Sequence, residues 1–432
     1  MIPRKLLTIL VKSYIVFIIK LKGICVSMIK QFKETKTAKI KNMQYLYRII
    51  RKHGQITKKA LIESTGWTQT TCTRSINHLL EEQLIIESGF AESSGGRKPV
   101  VYEINATAFY SIGIDISRTF TKVLLLDMNL DVKGEAKFPM DKESTPEITI
   151  TFIQHAINKF LKKENFKTSQ LLGIGIGAVE PLDREKGIIA EPINFTAPHW
   201  KDVPIVSRLE TLFPTKILLD KGVNTAVLAE HGIGLNNTVE NLNYVIAGMG
   251  IRLGVMTNNE LFQGFADRYE KYGNGHMIVN ANGRKCVCGG YGCVHTYSTI
   301  PALKAEVVAQ LKSGHPSILM EKVNIPEEIN FEAICWALKY QDPMCSEIIK
   351  NFGYYTGIAI SNMISLFHPD LLILGGPMYN HLDLFYETVM QTSTARINQL
   401  YPGYQVNFSR GYLGENATAI GAASMIMAYY LE

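Results

Sequence analysis

The hydrophobic pattern of this 432-residue chain changes character at Asn105, and that change constrains the fold more than any other feature of the sequence. Ahead of it, from Lys39 to Ile104, apolar residues recur at helical spacing in three short stretches and then at strand spacing in two. "NMQYLYRIIRKHG" lines Met43, Leu46, Tyr47 and Ile50 along one face and stops at Gly54. "TKKALIESTGW" starts after an N-cap at Thr57 and ends at Gly66. The third helix, "TQTTCTRSINHLLEEQL", opens on Thr68 and turns Cys72, Ile76, Leu79, Leu80 and Leu84 inward. Beyond Asn105, the strands "YSIGIDIS", "TKVLLLDM" and "DVKGEAKF" lead into the amphipathic "ITITFIQHAINKFLKK". The strands "LLGIGIGA", "NYVIAGMG", "RLGVMTN" and "LLILGG" then alternate with helices, which makes an α/β body in two lobes behind a small helical head.

The third helix of the head exposes Gln69, Thr70, Thr73, Arg74 and Asn77, all able to hydrogen-bond base edges or phosphates, at the start of a helix that follows a tight glycine turn. A recognition helix needs this arrangement, because its first residues are the ones that reach into the major groove. The two strands after it, "LIIES" and "VVYEI", flank "GFAESSGGRKP", a wing whose Arg97 and Lys98 are placed to grip phosphates or a minor groove. The bland alternative is a three-helix module with a solvated hairpin. Charge favours the first reading. Residues 1–104 hold 18 Lys/Arg against 7 Asp/Glu, whereas the remainder holds 27 against 32, so an acidic body carries a basic head. Residues 1–38 alone contribute +7 of that and the winged head +4.

Residues 1–38 form a basic, partly apolar extension. Lys12, Lys20 and Lys22 interrupt its apolar run, which falls short of the roughly 20 residues a membrane span needs. Neither insertion nor export is expected, and translation from an early start, with Met28 as the true one, accounts for the segment. Seven scattered cysteines do not make a secreted disulfide framework, so a cytoplasmic protein is expected. Three of them cluster with a histidine in "HMIVNANGRKCVCGGYGC": His276, Cys286, Cys288 and Cys293. Three sulfurs and one nitrogen suit tetrahedral zinc with a closed shell, a structural site and not a catalytic one. A disulfide or chance spacing are the alternatives, and Cys-x-Cys seldom closes a good internal bridge.

"GIDIS", "GIGIGAVEPLDREKGIIAEPINF", "AGMGIRLG", the cysteine stretch, "LILGG" and "GENATAIGAA", in this order, resemble the landmarks of the ROK family of repressors and sugar kinases. The winged head resembles that of its repressor branch. The resemblance implies a two-lobed actin-like (ribonuclease-H-like) sugar-kinase body, with lobes 105–235 and 236–432 and the last helix packing back on the first lobe. It also implies the same four zinc ligands, a sugar-like effector between the lobes, and a homodimer or homotetramer on a double-stranded DNA operator.

The same resemblance marks where kinase chemistry is missing. Family kinases carry Asp-x-Gly-Gly-Thr where this chain has Asp115, Ile116, Ser117, Arg118 and Thr119, and a second phosphate loop where it has Gly248, Met249, Gly250, Ile251 and Arg252. Their catalytic Asp falls at Gly222, after Lys221; Asp220 lies two residues earlier. Loss of a general base alone costs roughly 10²–10⁴ in rate, so no kinase activity is expected. The sugar-holding glutamates of the family fall at Gly273 and His295, and its Pro-Gly at Val179 and Glu180, while Asn194 and His276 match. Glu180, Asn194, Lys221, His276 and His295 are therefore the candidate effector residues, for a changed and anionic effector or for a vestigial pocket. The reading that follows is a non-enzymatic repressor of carbohydrate-metabolism genes. Its rivals are an active ATP-dependent sugar kinase with a fused head and a constitutive DNA binder.

Overall fold

The computed structural model describes residues 28–34, 37–90, 98–163, 168–193, 195–263 and 273–431. The head holds helices α1 (Met28–Glu34), α2 (Ala38–His53), α3 (Lys58–Thr65) and α4 (Gln69–Glu81). A small sheet joins them, β1 (Ile56–Thr57), β2 (Ile85–Phe90) and β3 (Val100–Ile104), in the antiparallel order β1-β3-β2. Thr57 and Thr68 cap α3 and α4 by accepting from Ala60 N and Thr71 N. Gly66 ends α3 at φ +67°, a left-handed turn that only glycine adopts freely, and so sets α4 against α3.

Two details of the head differ from the sequence reading. The third helix stops at Glu81, because Gln83 takes φ +55° and Leu84 N donates back to Leu79 O; Leu84 is buried beyond the helix. The two-residue strand β1 is too short for an alternation pattern to reveal. In addition, residues 28–34, assigned to the extension, form a helix whose Ile29 and Phe32 are buried.

The body contains two five-stranded sheets. The first comprises β4 (Tyr110–Ile116), β5 (Phe120–Leu126), β6 (Val132–Pro139), β7 (Leu171–Ala178) and, after the short hairpin β8 (Leu182–Asp183) and β9 (Ile188–Ile189), β10 (Lys216–Lys221), in the order β10-β7-β4-β5-β6. Helices α5 (Pro146–Lys163) and α6 (Ile205–Leu212) belong to this lobe. Helix α7 (Gly222–Ala229) begins directly where β10 ends.

The second sheet comprises β11 (Leu242–Ala247), β12 (Ile251–Thr257), β13 (Glu260–Leu261), β14 (Leu371–Gly375) and β15 (Asn407–Ser409), in the order β13-β12-β11-β14-β15. Its helices are α8 (Ile300–Lys312), α9 (Phe331–Lys339), α10 (Pro343–Phe367), α11 (Pro377–His381) and α12 (Asp383–Leu400). The near-continuous apolar strands β4, β7 and β14 are buried along their whole length, as strands covered on both faces must be.

The chain's last helix, α13 (Ala417–Leu431), lies on the first sheet, with Ala419 and Ala422 against Gly113 and Gly175. It also ties the body to the head. Near its start Thr418 Oγ1 donates to Gly222 O (3.3 Å), at the junction of β10 and α7. At its end Leu431 O accepts from Gln44 Nε2 of α2 (3.0 Å), and Ile426, Met427 and Tyr430 share one apolar core with Ile29, Phe32, Met43 and Tyr47.

Candidate functional site

In the head, Gln69, Thr70, Arg74 and Asn77 are exposed on one side of α4, while Cys72, Ile76 and Leu79 fill the core on the other. Thr73 is half-buried, and its hydroxyl donates to Gln69 O (2.6 Å). Lys98 is exposed where the wing returns to the sheet; Arg97 lies outside the described residues.

In the body, Arg252 on β12 of the second lobe reaches across to Glu180, two residues past β7 of the first. Its Nε donates to Glu180 Oε2 at 2.8 Å, with both side chains buried (11% and 5% exposed). Arg118, in the turn after β4, donates from Nε to Ile193 O (2.7 Å). Burial and the charge of Arg252 pull its guanidinium down to about 9. A Cβ built on Gly250 would lie 3.2 Å from Arg252 Nη1 and 3.4 Å from Arg118 Nη1, so the two guanidiniums converge.

The His276 and His295 rings stack beside them at 5.3 Å, 19° apart. Burial, followed by the charges of His276, Arg252 and Arg118, holds His295 down at about 4, so it is neutral at pH 7. Its Nδ1 is buried with no hydrogen-bond partner. Lys221 is buried at the end of β10. Next to it, Asp220 accepts from Lys221 N and Asn224 Nδ2 through Oδ1 and from Arg184 Nη1 through Oδ2. Gly222 has room: a Cβ there would meet nothing closer than 3.4 Å. Asp115 is enclosed on β4, and burial pushes its carboxyl up to about 7 against the pull of Lys122. Asn194 lies outside the described residues.

The third group is a cluster of donors. One ligand atom from each of His276, Cys286, Cys288 and Cys293 lies within 4.8 Å of all the others. Nδ1 of His276 is 3.3 Å from Sγ of Cys286, and Sγ of Cys288 is 3.6 Å from Sγ of Cys293. Donors around a tetrahedral zinc, with bonds of about 2.0–2.3 Å, sit about 3.5–3.8 Å apart, so the cluster is already near that size and these four residues fit a metal. Tight backbone bonds hold it, among them Cys286 N to Gly290 O and Val294 N to Met277 O. Gly292, at φ +67°, passes so close to Asn280 O that no side chain fits there. None of the described cysteines forms a disulfide.

The model of the ROK family matches residues 111–428, nearly the whole of the body. The chain belongs to the ROK family. A winged helix-turn-helix DNA-binding model matches residues 46–86. The xylose repressor of Bacillus subtilis (strain 168) is 27% identical over 392 residues, covering 90% of this chain and 96% of that protein. The DNA-binding transcriptional dual regulator NagC of Escherichia coli (strain K12) is 26% identical over 341 residues, 78% and 80% of the two chains. Among solved structures, a ROK family transcriptional regulator, a homolog of the E. coli MLC protein, superposes with a TM-score of 0.73 at 23% identity, over 94% of this chain and 97% of that one. A ROK hexokinase from Thermus thermophilus superposes at 0.58 with 22% identity, over 97% of its own length but 73% of this chain. The fold is thus the actin-like ROK body behind a winged helix.

Within this ROK body Glu180, His276 and His295, proposed from sequence for the effector, gather around one residue that sequence reasoning did not single out. Arg252 contacts Glu180, stands over Gly273 and exerts its charge on His276 and His295. The available signal was its place in "GMGIRLG", three residues after Met249. Arg118 converges with Arg252 and is part of the same cluster.

Proposed function

We infer that this ROK protein is a cytoplasmic DNA-binding transcriptional repressor of carbohydrate-metabolism genes, with no sugar kinase activity, and that a sugar-like effector taken up between its lobes controls it. The observation that carries this reading is the exposed Gln69, Thr70, Arg74 and Asn77 face at the first turns of α4, in a head that shares one apolar core with the body. Relatives named as repressors match both parts at once. Residues 28–34 and α13 supply a physical route for control: α13 touches the β10–α7 junction at one end and the head at the other. A shift of one lobe biased by ligand would move the head and, in a dimer, the spacing of two recognition helices. No described helix is long and apolar enough to cross a membrane.

Absence of kinase chemistry rests on Gly222 standing where a base is needed, on Asp220 engaged by Asn224 and Arg184, and on two guanidiniums gathered where glycine-rich loops would approach phosphates. A coupled ATP assay across hexoses and pentoses is expected to show no turnover. Gly222→Asp, at a position with room for a Cβ, is expected to leave that result unchanged; turnover by the wild type would overturn the reading. Zinc held by His276, Cys286, Cys288 and Cys293 has the structural role of fixing the loop that orients His276.

The DNA reading is tested by operator binding. Arg74→Ala is expected to weaken it by about 1–3 kcal/mol and to relax preference at one base position. Affinity equal to the wild type, measured by fluorescence anisotropy on a selected operator, would mean that α4 is not the reader.

A further inference from the structure

Building on the interlobe cleft as the effector site, we propose that the group recognised there is an oxyanion, so that the effector is a polyol bearing a carboxylate or a phosphate monoester. Two guanidiniums, those of Arg118 and Arg252, converge beside Gly250, and one carboxylate, that of Glu180, pairs with Arg252 and acts on Arg118 by its charge. This leaves one positive charge in excess among the described side chains that line the cluster. Burying an uncompensated charge is costly, and a cationic pocket of this kind is stabilised by an anion that supplies the missing charge. Arg118 spends Nε on Ile193 O and Arg252 spends Nη1 on Ile251 O. With Arg252 Nε on Glu180, the terminal Nη1 and Nη2 of Arg118 and Nη2 of Arg252 are the donors an oxyanion would engage.

Gly273 carries no side chain and has the Arg252 stem 3.4 Å from where a Cβ would stand. The His295 ring stacks on His276. The described side-chain groups nearest Gly250 and Gly273 are thus guanidiniums, which donate to an oxyanion.

The cluster also has a built-in competitor. Glu180 belongs to the first lobe and Arg252 to the second, so their ion pair joins the lobes; an incoming phosphate would take the place of the Glu180 carboxylate on Arg252, and a carboxylate ligand would be repelled by it. A dianionic phosphate matches the two guanidiniums left when Glu180 is displaced, whereas a carboxylate matches the single excess charge with Glu180 retained.

The test is isothermal titration calorimetry on the full chain, with neutral hexoses and pentoses compared with their aldonates, uronates and phosphate monoesters. The same preparations are assayed separately for operator binding without ligand. Members of the acidic set are expected to bind about thirtyfold or more tightly than every neutral sugar, and Arg118→Gln is expected to remove most of that advantage. Glu180→Gln, which deletes the competitor, is expected to tighten oxyanion binding; a purely structural role for the ion pair would not produce a gain. Whether uronates and aldonates or phosphates bind decides the source of the oxyanion. A neutral sugar binding as tightly as its acids, no binding by any acid to a folded chain, or weaker binding in Glu180→Gln would overturn the proposal. Failure of operator binding with oxyanion binding intact would sink the regulator reading alone.

Discussion

Gly175→Ala is expected to prevent the chain from reaching its native fold. A Cβ on Gly175 would stand 1.7 Å from Ala422 O of α13, and no rotamer relieves the clash because the opposing atom is backbone. The same helix presses on Gly113, where a Cβ would stand 1.9 Å from Ala419 O, and its own Gly421 faces Thr225 O of α7 at 1.7 Å. One methyl at Gly175 therefore has to lift α13 off the first sheet. Overpacking against movable side chains costs about 1–3 kcal/mol. Backbone against backbone belongs in the range above about 4 kcal/mol, against a total stability of about 5–15 kcal/mol. Because α13 also carries the contacts of Gln44, Ile29 and Phe32, the head should come loose with it. Thermal melting followed by circular dichroism checks this: a cooperative transition within a few degrees of the wild type would show that α13 does not seat against the sheet as described.

Cys288→Ser is expected to release the metal and loosen the segment from Gly273 to Thr299. Cys288 is the most exposed of the three thiols, and the backbone N–H of Gly290 holds its thiol below the ordinary range, so it is the sulfur readiest to act as thiolate. Burial pushes Cys293 in the other direction, to about 12, so a divalent ion has to displace its proton on binding, and metal affinity should fall as the pH is lowered. A metal present at a thousandfold over its Kd adds about 4 kcal/mol of stability, and the variant should lose an amount of this order. Metal analysis after dialysis, paired with melting, is the measurement. One zinc per chain retained at undiminished stability would refute the assignment. Effector binding should fall as well, since His276 is both a ligand and the ring on which His295 stacks.

How much of this was legible depended on how far apart in sequence the relevant groups stand. Thr57, Gly66 and Thr68 act within a few residues of themselves, so the caps and the turn before α4 were readable, and with them the exposed face from Gln69 to Asn77. The metal cluster spans 18 residues and closes through local turns, so its ligand set followed from spacing. Strands such as Leu171–Ala178 announced themselves as apolar runs. By contrast, Gln83 ends α4 in a left-handed conformation more often taken by glycine or asparagine, and β1 has two residues; neither leaves a periodic trace.

The sequence by itself determined the classes of element, the exposed polar face of α4 and the grouping of His276 with three cysteines, because each depends on periodicity or on short spacing. Only the tertiary structure decided that residues 28–34 belong to the folded head and that α13 links the cleft to it. It also decided that Arg118, Glu180 and Arg252 share one buried cluster. Those residues lie 62 and 72 positions apart and on two lobes, and their chemistry follows from which charges burial forces together, a property of the packed chain that no local pattern encodes.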